Sequence, residues 1–349
     1  MIPINFLKQQ AENLFPGYFA LVMATGILSI GSHLLGMEPI AILLLFVNIV
    51  AYTSLWILTF IRIFYYYPKV RRDLTSHTLG PGFFTMVAGT SVFGSQLIMI
   101  TGHYLLSVFL WAIAIVLWII IMYTFFTAVT IRTNKPSIAE GINGAWLIAT
   151  VATQSISILG TLLSSYVGVG RDVMLFVTLC MYFLGCMLYL NIITLIFYRF
   201  TFVELKFDAL TPPYWINMGA VAITTLAGST LILHHENWSL LKEITPFLKG
   251  FTLFFWITGT WWIPLLFILT IWRYVYHHFP ITYDPQLWGM VFPLGMYTAS
   301  TFQLSHALDV PFLIVIPKVM FYIAFTAWIL VLCGLIHHIY LHIIRFNKG

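Results

Sequence analysis

Long apolar runs alternate with short polar stretches along the whole chain. Crossing a bilayer as a helix takes about 20 mostly apolar residues. Ten runs reach that length, at roughly 16–36, 39–66, 81–101, 103–129, 140–161, 172–198, 212–233, 247–272, 285–306 and 312–343. Their connections alternate between longer polar ones and mostly shorter ones, which pairs the runs into five helical hairpins. The predicted fold class is an all-α membrane protein of ten transmembrane helices. A single domain covers 1–349, with hairpin repeats near 14–66, 79–129, 139–198, 210–273 and 283–345.

The odd-numbered runs open alike. They begin Pro16-Gly17-Tyr18-Phe19, Pro81-Gly82-Phe83-Phe84, Asn143-Gly144-Ala145-Trp146, Pro212-Pro213-Tyr214-Trp215 and Pro285-Gln286-Leu287-Trp288. Each has a helix-starting residue and, three positions on, an aromatic: Phe19, Phe84, Trp146, Trp215 and Trp288. Proline is pre-organised for a first helical turn, and large aromatics suit the membrane interface. The odd runs are also rich in Gly, Ala, Ser and Thr, as in Ala88 to Ser95 and Gly219 to Ser229. The even runs are rich in Leu, Ile, Phe and Trp, as in Ile113 to Phe126. Bulky apolar side chains suit lipid, while small and hydroxyl-bearing ones suit close packing or a wetted lining. The pattern predicts a quasi-five-fold arrangement with odd helices inner and even helices outer.

Composition agrees with a bilayer as solvent. The chain is 60% hydrophobic and 8% charged, where a soluble domain carries roughly a quarter charged residues. Twelve of the sixteen Lys and Arg fall on one side of the predicted spans: Lys8, Arg62, Lys69, Arg71, Arg72, Arg132, Lys135, Arg199, Lys206, Arg273, Arg345 and Lys348. Only Arg171, Lys242, Lys249 and Lys318 fall on the other. An excess of Lys and Arg marks the cytoplasmic side, so both termini are expected there, in a multi-pass protein of the cell membrane. A positive inner mouth would also raise the local anion concentration. The N-terminus shows no signal-peptide pattern. Cys180, Cys186 and Cys333 lie inside apolar runs and read as small packed residues rather than disulfides or metal ligands. A phosphate loop is missing, which argues against ATP-driven transport by this chain alone.

Candidate chemistry is sparse. Every Asp, Glu, Lys and Arg sits at a span end or in a loop, which argues against a carboxylate-based pump. His338 and His342 have i, i+4 spacing, but no Glu or Cys completes a metal site, so no metal or cofactor is expected. His33 and His306 lie near the outer ends of runs one and nine. The amides Gln96, Gln154, Asn217 and Gln303 lie on odd runs, where they could meet a passing anion or hydrogen-bond between helices. No Ser-His-Asp or paired-carboxylate arrangement suggests an enzyme, and no basic patch suggests nucleic acid.

The stretch Asp284 to Gln303 has a proline, Pro293, at its middle and a large aromatic, Phe292, directly before it. A proline removes one helical hydrogen bond and is expected to kink the helix. Together with Phe15-Pro16-Gly17-Tyr18-Phe19-Ala20-Leu21-Val22-Met23-Ala24-Thr25-Gly26, the segment Trp288-Gly289-Met290-Val291-Phe292-Pro293-Leu294-Gly295 resembles the tellurite-resistance/dicarboxylate transporter (TDT) family of TehA-like and plant slow-type anion-channel-like proteins. The resemblance covers essentially the whole chain.

It implies a homotrimer in the lipid bilayer, each protomer having a central pore lined by the odd helices. It also implies that Phe292, before Pro293, is the gate. Candidate lining residues are Phe19, Met23, Phe84, Ala88, Trp146, Thr150, Trp215, Gly219 and Trp288, with Gly26, Gly89, Gly228 and Gly295 as points of kinking or close packing. Only run nine among the odd set has a mid-span proline. The implied activity is an anion channel or channel-like transporter for small anions such as chloride, nitrate or malate. The alternatives are a proton-coupled C4-dicarboxylate or tellurite-oxyanion transporter and, from another class, a histidine-based membrane enzyme.

Overall fold

The computed structural model describes residues 4–348. The side chains of Arg345 and Lys348, two of the basic residues counted above, lie outside the described residues. The described chain is helical in nearly all its length. A short helix, α1 (Ile4–Glu12), packs on the C-terminal part of the second long helix, where Lys69 donates to Glu12 at 2.7 Å. Then follow α2 (Ala20–Leu34), α3 (Glu38–Leu74), α4 (Phe84–Thr101), α5 (Tyr104–Ile131), a one-turn α6 (Ile138–Gly141), α7 (Ile148–Ser164), α8 (Arg171–Phe202), α9 (Ile216–Leu233), α10 (Ser239–Ile271), α11 (Trp288–Ala307) and α12 (Val315–Lys348). Among the described residues, nine of these helices, counted with the short turns that lead into them, are long and apolar enough to cross a membrane. The protein is therefore an all-α, multi-pass membrane protein. Helix α11 has 20 residues, and Gly289, Gly295, Thr298, Ser300, Thr301, Gln303 and His306 make it less apolar than the nine.

Burial sorts the long helices into two layers. The spans built on α2, α4, α7 and α9 are 83–94% buried, and those on α3, α5, α8, α10 and α12 only 22–39%. Helix α11 belongs with the first group, because all but four of its residues are buried. The buried helices touch in a closed cycle: α2 packs on α4, α4 on α7, α7 on α9, α9 on α11, and α11 on α2. Small residues permit this approach. A Cβ at Gly219 would stand 2.7 Å from the Pro293 ring, so the proline of α11 nests in the gap that glycine leaves on α9. The exposed helices present Phe46, Val50, Phe64, Phe109, Val116 and Phe254 outward, as lipid requires.

Each exposed helix is tied to the next buried helix by at least one polar contact. Tyr52 of α3 meets Thr90 of α4 at 3.1 Å, and Trp118 of α5 donates to Thr153 of α7 at 2.8 Å. Tyr189 of α8 donates to the Asn217 carbonyl of α9 at 3.4 Å, and Trp256 of α10 donates to Thr301 of α11 at 3.0 Å. Trp328 of α12 closes the cycle on Thr25 of α2 at 3.0 Å. In hydrocarbon an indole N–H or hydroxyl has no water to bond, so the inner-helix hydroxyls serve as its partners.

Prolines act as expected in one helix and differently in another. In α3 the backbone leaves the helical region at Tyr66, two residues before Pro68, which separates the membrane-crossing part from a short inner extension. Helix α11 stays helical through Pro293, with no interior residue outside the helical region. The Pro293 ring packs against Gly219 of α9.

The five buried helices are each entered through a 3-10 turn, at Pro16–Phe19, Gly80–Phe83, Gly144–Leu147, Pro212–Trp215 and Pro285–Leu287. Asn143 caps the third by accepting the Ala145 N–H at 2.9 Å, as Asp284 accepts the Gln286 N–H at 2.7 Å in the fifth. The third turn thus begins at Gly144, one residue later than the sequence alignment of starts implied. Its residue in phase with Phe19, Phe84, Trp215 and Trp288 is Leu147, not Trp146.

The tight entry turns make a testable point about packing. A Cβ at Gly144 would collide with the Pro213 carbonyl and Tyr214 Cα, backbone atoms that have no room to move aside, whereas Gly250 has open space around it. Gly144→Ala is expected to cost about 1–3 kcal/mol of stability, seen as a lowered unfolding midpoint in detergent, with Gly250→Ala at the wild-type value.

Candidate functional site

A cavity of about 200 Å³ opens where the five entry turns converge. Its wall repeats at fixed offsets along the five turns, counted from the first residue of each and from Pro81 in the second, whose turn opens one residue earlier at Gly80. The outermost layer holds Gly17, Gly82, Ala145, Pro213 and Gln286. The next holds Ala20, Thr85, Ile148, Ile216 and Gly289. The floor includes Met23, Val151 and Phe292. The spacing of three to four residues is one face of each helix. The backbones come close at the rim: a Cβ at Gly82 would stand 2.9 Å from the Gly17 nitrogen.

Beyond the floor lies a second space of only about 20 Å³. It is bordered by Ile27, Val92, Ser155, Ile223 and Met296, one turn further along the same five helices, and then by Ile30, Ser95, Ile158 and Leu226. Between the two cavities the axis is filled by side chains of the Met23, Val151 and Phe292 layer. Phe292 is 1% exposed. The two hydroxyls on the second cavity are engaged within their own helices, Ser95 donating to the Ser91 carbonyl and Ser155 to that of Ala152. They leave no free donor facing the axis.

Among the described residues, no titratable side chain lines either cavity. The field along the axis comes instead from backbone. Five helix N-termini point into the larger cavity, and each carries about half a positive charge, a gain of about 0.3–1 kcal/mol for a nearby anion. Next to its rim, at Thr78, lies a more open hollow bordered by His77, Arg132 and Lys135. Desolvation, then the charges of Arg132 and Lys135, lower the His77 pKa from its ordinary value, so the ring is neutral at pH 7. Arg132 and Lys135 then supply the charge at this mouth.

Of the residues singled out in the sequence, Phe292 and Met23 line the larger cavity. The five start aromatics do not. Phe19 packs edge-on against Trp56 of α3, with ring centroids 5.5 Å apart, and Phe84 against Phe125 of α5 at 5.8 Å. Trp146 donates to the His77 and Gly141 carbonyls, Trp215 to Thr270 of α10, and Trp288 to Tyr283. Five such rings could not share a cavity of this size, and each indole N–H needs an acceptor that the axis lacks. Ala88 and Gly219 share the register of Met23, Val151 and Phe292 without bordering either cavity, Gly219 seating Pro293, and Thr150 borders neither. Gly26, Gly89, Gly228 and Gly295 are close-packing points, facing Val92, Phe19, Thr252 and Ile27 respectively, in helices that stay regular.

Two of the amides reach neighbouring helices, while both side-chain polar atoms of Asn217 are buried without a hydrogen-bond partner. Gln96 accepts from Asn48 of α3 at 2.7 Å, and Gln154 donates to the Tyr182 carbonyl of α8 at 3.0 Å. His33 lies 2.8 Å from Glu38, and the His306 ring sits beside Phe302, centroids 4.8 Å apart and tilted by 57°. Sequence reasoning missed most of the true lining, from Gly17 to Gly289. A helical face counted from each capped turn, rather than from the visible aromatics, would have found it.

Comparison with known proteins gives a consistent picture. Residues 13–336 match the family described as SLAC1, voltage-dependent anion channel. An uncharacterized transporter of Methanocaldococcus jannaschii is 26% identical over 348 residues, covering 96% of this chain and 97% of that protein. An uncharacterized membrane protein of Mycobacterium tuberculosis is 34% identical over 152 residues, covering 44% of this chain and 77% of that protein.

The cavity geometry predicts which positions water-borne reagents reach. In a background lacking Cys180, Cys186 and Cys333, cysteines at Ala145 and Met23 should react with a small charged methanethiosulfonate. Cysteines at Phe84 and Trp215 should be protected. Mass spectrometry of the labelled protein reads the pattern, and the reverse pattern would refute this assignment of the lining.

Proposed function

The chain belongs to the SLAC1 family of voltage-dependent anion channels, and from that premise we propose that small anions pass along the axis of its five buried helices, with Phe292 as the gate. Movement of small anions across the membrane follows from the family; the path, the gate and the assembly are our reading. The observation that carries it is the Phe292 layer, an apolar plug between two cavities on one axis. An aromatic ring across a narrow apolar passage blocks by filling it and by disfavouring water. In this reading α11 is the tenth span, the chain forms five repeated hairpins around the axis, and the larger cavity opens to the cytoplasm.

The same geometry favours a channel over a proton-coupled carrier. Coupling needs a group that gains and loses protons along the path, and the described lining has none. Selectivity for anions rests on the five converging N-termini and the Arg132 and Lys135 mouth. A few tenths to about 1 kcal/mol per terminus attracts an anion without trapping it. Chloride, nitrate and malate are the anions to compare. On the family resemblance we extend the proposal to a homotrimer in the cell membrane, each protomer with its own passage and both termini inside.

Two measurements test this. In liposomes under a chloride gradient, Phe292→Ala should raise anion flux on the order of tenfold or more, the effect of removing about 1.4 kcal/mol or more from the barrier. The flux should proceed without a substrate-driven pH change. Removing a buried Phe also costs about 3–5 kcal/mol of stability, so Phe292→Leu serves as a milder partner. Unchanged flux in folded variants would sink the gate assignment. Separately, light scattering in detergent should give a protein mass three times the 39.9 kDa of one chain.

A further inference from the structure

Three arginines near the inner ends of the exposed helices are buried: Arg62 of α3, Arg199 of α8 and Arg273 just after α10, at 5%, 7% and 5% exposure. Arg62 has its counter-charge in the chain, donating to Asp73 at 2.7 Å, where both side chains are 6% exposed. The other two have none. Among the described residues, no carboxylate lies within 4 Å of Arg199 or Arg273. Arg199 donates to the Ile142 carbonyl and to the Tyr214 hydroxyl. Arg273 donates to the Leu210 carbonyl, and its guanidinium sits 4.1 Å from the Phe279 ring centroid. The Nε of each is buried without a hydrogen-bond partner, as is that of Arg62, so the missing carboxylate is what sets these two apart. Carbonyls and a ring face soften a buried cation, but an orphaned N–H and an uncancelled charge still carry a desolvation cost of several kcal/mol.

One small cavity has Arg273 in its wall, with Arg199 one residue away behind Tyr214. It is lined by Leu210, Thr211, Tyr214, Thr270, Arg273 and Tyr274, and holds about 20 Å³, room for one small anion. Arg273 borders it directly. Arg199 reaches it through Tyr214, which accepts from the arginine and so keeps its own proton free to donate. A π-helical turn, Trp272–Tyr276, places Arg273 there. Thr211 lines both this cavity and the axial one, so the two are separated only by the entry turn of α9.

We propose that this cavity is an anion site distinct from the axial path, holding a small inorganic anion or the phosphate of a lipid headgroup as the counter-charge of Arg273 and Arg199. The bound anion supplies to Arg273 and Arg199 the counter-charge that Asp73, across the Tyr66 kink of the same helix, supplies to Arg62. The site needs no assumption about permeation, and its test does not involve transport.

The test follows the unfolding midpoint of purified protein as sodium bromide replaces sodium gluconate at constant ionic strength. Wild type should be stabilised saturably, the folded-to-unfolded ratio rising about tenfold at ten times the dissociation constant. Arg273→Gln should lose that response. If it does not fold, Thr211→Asp decides: a carboxylate in the cavity supplies the charge within the chain, so this variant should fold and ignore bromide. The lipid source has its own signature. Native mass spectrometry would find a phospholipid retained by wild type and lost in both variants, with bromide acting only after delipidation. Equal bromide stabilisation in all three proteins, or no bromide response and no retained phospholipid in wild type, overturns the proposal.

Discussion

Every polar group inside the bilayer must find its partner within the protein, and the fold is shaped by how the outer helices meet that demand. Five donors or hydroxyls on α3, α5, α8, α10 and α12 each reach the next buried helix around the ring, ending with Trp328 on Thr25. Contacts of this kind are worth about 0.6 kcal/mol each in membranes. Their sum is small beside the packing of some twenty helical turns, so their contribution is to register. They set which buried helix each outer helix serves and how far along it sits. Thr90 and Thr153 also donate to their own helix carbonyls, which turns their hydroxyls into acceptors and keeps them from the axis.

The axis is left apolar as a result. The hydroxyls on the second cavity, and Thr85 on the first, are spent on backbone carbonyls. What remains is a passage with two cavities, a layer built around Met23, Val151 and Phe292 between them, and a ring of helix N-termini at one end. Such a passage offers an anion attraction at the mouth and no deep binding site further in. On the proposed path the barrier falls at one layer, where a single side chain would control it. Pro293, seated on Gly219, holds that side chain's backbone in place rather than bending it away.

Much of this was legible in the sequence. Small and hydroxyl residues on the odd runs, against bulky ones on the even runs, separated the buried helices from the lipid-facing ones. The register of the third buried helix was not legible, because Trp146 mimics the aromatic of the other starts while the Asn143 cap moves the turn by one residue. The start aromatics marked the right helix ends but the wrong face. A large ring at a membrane interface looks the same in sequence whether it faces a neighbour or a passage. Nor could a count of charges at span ends show that Arg62, Arg199 and Arg273 are buried, or that only the first has a carboxylate.

The central claim is that one layer separates two preformed cavities in a ring that does not need to move. An experimental structure of the Phe292→Ala protein tests it most directly. The account predicts that the two cavities join into one continuous passage with the backbones of α2, α4, α7, α9 and α11 in place. A passage still closed at another level, or an α11 that shifts to fill the space, would contradict it.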